Sequence, residues 1–376
     1  MALANAELQR GDPAAAIRRQ QQALAGLRGL GEGGRLGLLA GSGALAQMQQ
    51  ALGDLPAARA TIEATLAAAR GVWPADEPAL LHMQQTRAAI LRDLGDVAGA
   101  RAEFAAVLAG LQRSVGAGDP RTLAVQLALA QMAHQAGQAA EARPLLTELL
   151  AQGRPRLGPA HPIMLMALTM LIDVAQAQDE LPWALTQLQA AVTELRGLLP
   201  ADRPELLGLE QRLADVAGLL GDLAGARALQ AEVLARWEAA AGPRHPGALA
   251  AAASLGMILQ RGGMLDEARA LQERVLRDSR EVFGATAIDT WTAQRQLAAT
   301  LNLLGDRAGA RALLAEVVAG LTQRLGVTHP EALLVRGELG MAAQAMGALD
   351  EADAELAPAI AGLMTQLPAD HRVLLD

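Results

Sequence analysis

Along residues 98–115 the apolar side chains fall at Ala100, Phe104, Val107, Leu108 and Leu111. That three-to-four-residue spacing is the signature of one buried helical face, so Ala98 to Val115 is predicted to be a helix. The run Gly116-Ala-Gly-Asp-Pro120 interrupts it. Proline suits the first turn of a helix, where its missing N–H is not needed, so a second helix is predicted from Pro120 to about Ala136. Ahead of the first helix stands Gly95-Asp96. Glycine there can end the preceding helix in a left-handed conformation, and aspartate can cap the next one. One unit is therefore two helices joined by a tight turn, with a looser loop leading to the next unit.

The unit recurs along the chain. Gly11, Gly53, Gly95, Gly137, Gly221, Gly263, Gly305 and Gly347 lie at multiples of 42 residues, and Asp179 fills the one vacancy. Five positions after each stands alanine: Ala16, Ala58, Ala100, Ala142, Ala184, Ala226, Ala268, Ala310 and Ala352. The proline-containing loop returns as Gly158-Pro-Ala-His-Pro162, Gly242-Pro-Arg-His-Pro246 and Gly326-Val-Thr-His-Pro330, and more loosely at Pro74 to Pro78 and Pro200 to Pro204. Small residues recur inside the first helix of each unit, at Ala46, Ala88, Ala130, Ala214, Gly256, Ala298 and Gly340, with Ile172 the exception. They permit close helix contact. A two-helix unit cannot bury its apolar face alone, so the units must stack into an all-α solenoid of about nine repeats, predicted to span residues 1–376 as a single array.

Gly-x-x-x-x-Ala closing each hairpin, with a Gly-x-x-His-Pro loop opening the next, resembles the kinesin light chain-like tetratricopeptide repeat over the whole chain. The resemblance implies a right-handed superhelix whose concave wall is made by the first helices of the repeats, with partner peptides bound along it. Two departures stand out. The family's aromatic positions are here mostly Leu, Ala or Met, and Asp179-Glu180-Leu181-Pro182 lacks the turn glycine. The array is therefore expected to bend or loosen over residues 173–185.

Carried onto this sequence, the groove-facing positions of the last inward turn read Gln50, Arg92, His134, Gln176, Gly218, Gln260, Asn302 and Gln344. All but Gly218 can hydrogen-bond, and amides both donate and accept, which suits the backbone of an extended chain. A solvated face inherited by duplication would look the same. Further groove candidates are Gln47, His82, Gln85, Gln131, Thr169, Asp173, Gln211, Asp215, Thr292 and Arg295. Trp291, Arg295 and Asn302 share one helical face, and Trp and Arg are frequent binding hot spots. Against this, a lone tryptophan can simply pack between helices.

Composition narrows the chemistry. The chain has 376 residues, 52% hydrophobic, with two Phe, four Trp and no Tyr, which favours helix over sheet. All basic side chains are arginine, the net charge is −8, and neither half is basic: 15 Arg against 16 acids in residues 1–188, and 17 against 24 in 189–376. No nucleic-acid partner is expected, for want of a positive stripe. With no cysteine there is no disulfide, thiolate metal site or cysteine nucleophile. The N-terminal MALANAELQRGD has no apolar core of a signal peptide, and an uncharged apolar stretch such as Pro162 to Ile172 is too short to span a bilayer. A soluble cytoplasmic protein without a membrane partner is the default expectation.

Of the six histidines, His82, His134, His161, His245, His329 and His371, three belong to His-Pro loops two repeats apart. Such loops stand roughly 20 Å or more from one another, too far to share a metal, and are expected to cap helices. Gly31-Glu-Gly-Gly34 lacks the strand a phosphate loop needs and is read as a degenerate inter-repeat loop. Acid pairs such as Asp76-Glu77, Asp179-Glu180 and Asp266-Glu267 suit loops and helix first turns. The arginines at 59, 101, 143, 227, 269 and 311 lie on the second helices and are expected to cover apolar surface and pair locally with acids. No nucleophile pairs with a base, so no enzyme activity, cofactor or metal is expected.

Two functional classes follow: a scaffold that holds a protein or peptide in its groove, or the sensor or substrate-recruiting arm of a larger enzyme or signalling protein, such as a kinase, a caspase-like protease or a nucleotide-dependent switch. In the 42-residue register both ends look cut, and uncapped ends expose apolar faces that could self-associate. The chain is therefore expected to be a piece of a longer protein. Mapping the intact reading frame checks this, and a natural start and stop at Met1 and Asp376 would contradict it.

Overall fold

The computed structural model describes residues 13–366, and these form seventeen α-helices and one short 3₁₀ turn, Gly31–Gly34. Gly11, His371 and the segment Pro368 to Asp376 lie outside the described residues. The helices are α1 (Pro13–Arg28), α2 (Arg35–Ala51), α3 (Leu55–Ala69), α4 (Pro78–Asp93), α5 (Val97–Ser114), α6 (Pro120–Gln135), α7 (Ala139–Leu157), α8 (Pro162–Ala177) and α9 (Leu181–Arg196). There follow α10 (Pro204–Leu219), α11 (Leu223–Ala241), α12 (Pro246–Arg261), α13 (Leu265–Val282), α14 (Ile288–Leu304), α15 (Arg307–Leu325), α16 (Pro330–Ala345) and α17 (Leu349–Gln366). Even-numbered helices are the first of each repeat and odd-numbered ones the second. The pair predicted for residues 98–115 and 120–136 is α5 and α6, each ending within one residue of the expected bounds.

The turns form for the reason read in the sequence. At Gly53, Gly95, Gly137, Gly221, Gly263, Gly305 and Gly347 the backbone is left-handed, with φ between 70° and 95°. At Gly95 the amide reaches back to the Arg92 carbonyl (2.9 Å) and the Asp96 amide to the Leu91 carbonyl (2.9 Å). This pair of bonds satisfies carbonyls that the helix end leaves open. The Asp96 carboxylate then accepts the Gly99 amide at 2.9 Å and starts α5, as Asp54, Asp222 and Asp306 do for α3, α11 and α15. Asp179 makes the same turn without a glycine. Its φ is 60°, the one positive value at a non-glycine among the described residues, and the same two backbone bonds form, Asp179 to Gln176 (3.1 Å) and Glu180 to Ala175 (2.9 Å).

The loops between repeats are closed by the histidines. Nδ1 of His161, His245 and His329 accepts the backbone N–H two residues on, at 3.2, 3.1 and 3.2 Å, and Asp119 does the same for Arg121 at 3.0 Å. Each is the N-cap ahead of the proline that begins the helix.

By internal contact the chain falls into two compact units, up to Glu180 and from Leu181 onward, and the division lies within residues 173–185. In the first unit Ile62, Leu66, Ile90, Phe104, Val107, Leu123 and Leu149 are fully or almost fully buried. In the second the core is built from Leu207, Val233, Trp237, Val275, Trp291, Val317 and Val335. In both, the alanine five residues after each turn is buried, with no more than 2% of its surface exposed from Ala16 to Ala352. That position is the crossing point of the two helices of a hairpin, and any larger side chain would push them apart.

Polar contacts tie successive repeats. Arg101 donates to Gln138 (2.8 Å) and pairs with Glu141, Arg143 donates to Glu180 (2.6 Å), Arg227 to the Met264 sulfur (2.9 Å) and Arg311 to Glu351 (2.8 Å). Arg59 and Arg269 instead pair within their own helices, with Glu63 and Glu273. These contacts are largely exposed and screened by water, so each contributes little to stability. Glu210 differs: fully buried, it meets both Arg196 and Arg236 at 2.7 Å. Losing both arginines would leave this carboxylate buried and unpaired, a change that typically costs about 3–5 kcal/mol.

Left-handed backbone costs an L-residue about 1–2 kcal/mol, partly offset by the greater chain entropy that glycine loses on folding. Asp179→Gly is therefore expected to stabilise the protein by about 0.5–1 kcal/mol, while Gly95→Ala at the equivalent turn destabilises it by about 1 kcal/mol. Urea denaturation of both variants checks this; equal midpoints for the wild type and Asp179→Gly would contradict it.

Candidate functional site

The candidate residues all lie on the even-numbered helices, and their register decides what each can do. In the first unit Gln50 donates from Nε2 to Asp93 (2.7 Å), and Arg92 donates to the other oxygen of the same carboxylate (3.0 Å). Gln47 bonds Thr86 (3.1 Å) and lies 3.1 Å from Nε2 of His82. Gln85 lines a cavity of about 240 Å³ with His82 and Arg121. Gln131 and His134 on α6, and Thr169, Asp173 and Gln176 on α8, are half-buried.

In the second unit Gln211 donates to the Ser254 hydroxyl (3.2 Å), which in turn donates to Asp215 (3.4 Å). Arg295 donates to Glu338 through Nε (3.1 Å) and faces Glu331 at 3.6 Å. Several of these bonds share a rule. Gln50 to Asp93, Gln211 to Ser254 and Arg295 to Glu338 each join a residue to the one 43 positions on, on the next first helix. The hydrogen-bonding face is thus partly engaged in holding repeats together.

Two cavities of about 490 Å³ each open on α12, α14 and their neighbours. One is lined by Gln260, Arg295 and Asn302 together with Glu338, Met257 and Met341. The other is lined by Gln211, Ser254, Asp289 and an apolar floor of Leu249, Ala253, Val275 and Phe283. They share Met257, Thr292 and Gln296 and so adjoin one another. Gln344 is exposed on α16. The structure therefore brings Gln260, Arg295 and Asn302 together, with Gln211 in the adjoining cavity.

Trp291 goes elsewhere. It is 5% exposed and packed in the core, where a Cβ on Gly320 would lie 2.5 Å from its ring. Leu81 and Leu333 meet Gly110 and Gly362 in the same way at 2.6 Å. Trp291 stands in their 42-residue column, and the packing reading of the sequence describes its surroundings. The column itself carried that signal. Likewise the residues that open the second cavity, Ala250 and Ala253, stand in the columns of His82 and Gln85, and of Thr292 and Arg295. Their small size at groove-facing positions was legible, although no hydrogen-bonding pattern singled them out.

Burial holds the Asp215 carboxyl above its ordinary range, against the opposing pull of the Ser254 hydroxyl and the charges of Arg212 and Arg261. Burial also lowers the Arg212 guanidinium, with Asp215 acting the other way. The Glu338 carboxylate raises Arg295 more than burial lowers it. Among the described residues no group of three or more His, Asp or Glu could hold a metal ion, and no helix is long and apolar enough to cross a membrane.

The sequence pattern of the tetratricopeptide repeat matches residues 205–281, and a second form of that pattern matches residues 290–331. Residues 205–281 and 290–331 are thus tetratricopeptide repeats. No curated protein matches it in sequence. A kinesin light chain candidate from Podosopora anserina with nearly identical TPR-like repeats is 26% identical over 54% of this chain and 95% of its own, with a TM-score of 0.47. Apo RapI is 11% identical, with a TM-score of 0.70 over 97% of this chain and 96% of its own. The apo form of the quorum sensor NprR from B. thuringiensis is 12% identical, with a TM-score of 0.62 over 95% and 99%. At these last two identities the likeness is one of fold. Tetratricopeptide repeats are in general non-catalytic protein-interaction scaffolds, and neither matched pattern belongs to a catalytic family.

The raised Asp215 carboxyl makes a pH prediction for this repeat protein. The folded state holds the proton more tightly than the unfolded chain, so the stability from this group is fully present below the unfolded value of about 3.9 and is lost as pH rises through the raised folded value. Asp215→Asn, neutral throughout, is expected to gain stability over the wild type as pH rises from about 4 to about 7. Urea midpoints across that range measure the difference, and a difference independent of pH would contradict it.

Proposed function

We propose that the protein holds an extended peptide or protein segment against its first helices, at the depression lined by Gln260, Arg295 and Asn302. The observation that carries this reading is the convergence of three predicted groove residues from two helices, α12 and α14, on one open cavity that adjoins a second one. An amide at Gln260 and another at Asn302 supply both donors and acceptors to a peptide backbone. The methionines at 257 and 341 add adaptable apolar contact. The ladder residues Gln50, Gln85, Arg92, Gln131, His134, Asp173, Gln176, Gln211, Asp215 and Gln344 extend the same role to the other repeats, those tied to neighbours serving to fix the wall. RapI and NprR share the fold, and NprR is a quorum sensor, in keeping with a binding role for such a scaffold.

The test is a selection of random twelve-residue peptides displayed on phage, followed by binding of the enriched peptides to the wild type and to Gln260→Ala/Asn302→Ala. Both substitutions leave the Arg295–Glu338 pair in place. Loss of two backbone-directed amides is expected to weaken binding about tenfold or more. Equal binding by both proteins would place recognition on the second helices, the loops or the ends.

A further inference from the structure

The cavity beside α12 has the form of a side-chain pocket. Leu249, Val275 and Ala293 form a buried apolar floor, and the half-buried Phe283 closes one side. Space is left because Ala250 and Ala253 occupy positions that carry Thr292 and Arg295 one repeat on, and His82 and Gln85 four repeats earlier. Its volume, about 490 Å³, lies in the range of specific ligand sites, about 300–1,000 Å³. Apolar atoms make up most of its lining, with Gln211, Ser254, Ser279, Asp289, Thr292 and Gln296 as its polar residues, so covering the apolar part with an apolar group is favourable.

The charges around the adjoining cavities are unequal. Asp289 lines this pocket and Glu338 the adjoining one, Glu331 lies 3.6 Å from Arg295, and the cation among them, Arg295, is shared between Glu338 and Glu331. Among these residues three carboxylates face one guanidinium, and Asp289 and Glu331 are exposed to incoming charge; behind Ser254 lies a fourth carboxylate, Asp215, which feels the charges of Arg212 and Arg261.

We infer that the cavity between α12, α13 and α14 binds a bulky aliphatic or aromatic side chain of an extended peptide that also carries a neighbouring lysine or arginine, drawn by Asp289 and the Glu331–Glu338 pair. This rests on the peptide-binding reading above and names the ligand's chemistry. Ala250 and Ala253 set the pocket's size, and the carboxylates set the preferred charge. An acidic peptide is disfavoured, because its carboxylates would meet the surplus of negative charge.

The experiment uses four synthetic twelve-residue peptides on an alanine, serine and glycine background. One carries leucine with a following arginine, one has leucine replaced by alanine, one has arginine replaced by glutamate, and one has both replaced. Binding is measured by fluorescence anisotropy at low and high salt. The leucine–arginine peptide is expected to bind at least tenfold more tightly than any of the others, and salt is expected to weaken it. Ala250→Leu, at the exposed mouth of the pocket, should remove the leucine preference with the arginine preference intact. Asp289→Asn should reduce the arginine preference about threefold and leave the leucine preference. Unchanged circular dichroism confirms that both variants are folded. If phage selection yields groove-binding peptides with no apolar or basic preference, this inference is overturned and the peptide-binding reading stands. If no peptide binds the depression at all, both fall.

Discussion

The contact that the rest of the structure depends on is the crossing of two helices over an alanine five residues beyond each turn. A methyl group there lets the helices of a hairpin approach closely, and the alanine is buried in every described repeat from Ala16 to Ala352. Close approach aligns the apolar faces of both helices on one side. A two-helix hairpin has no core of its own, so that side must be covered by the next hairpin, and the constraint propagates along the chain. The turn glycine and the loop proline follow from it: the chain must reverse within a few residues without displacing the crossing point.

The same geometry explains why the polar face of the first helices plays two parts. Successive first helices bring residue i beside residue i+43, so any hydrogen-bonding pair at that offset joins neighbouring repeats, as Gln50 does with Asp93 and Arg295 with Glu338. A polar ladder on such a face is partly consumed in fixing its own wall. What remains for a ligand is set by where pairs are absent or side chains are small, and α12, with Ala250, Ala253 and Gln260, is such a place. Rigid pairs beside an open cavity are a favourable arrangement for recognition, because the groups that flank the ligand are already ordered before it arrives.

Buried charge is handled by pairing. Glu210, with no exposed surface, sits between Arg196 and Arg236, whereas Asp215, half-buried and bonded to a neutral hydroxyl, has its carboxyl pushed up. At Asp215 the serine hydroxyl offsets the loss of water around the carboxylate only in part.

The sequence by itself determined the repeat: its period, its two helices and their bounds, the left-handed turns, the capping histidines and the buried alanines. All of these arise from interactions between residues close in the chain or at a fixed 42-residue step, and such spacing is visible in the letters. Asp179 shows how far that reaches, since its place in the register required the left-handed backbone even without glycine. Only the tertiary structure decided which ladder side chains are tied to a neighbour, that Trp291 fills the notch over Gly320, and that the alanines of α12 leave a cavity adjoining the one beside Asn302. Those outcomes depend on the volume and reach of side chains from three or four helices meeting at one point. A periodic pattern names the positions that meet; whether they fill the space between them is settled by packing.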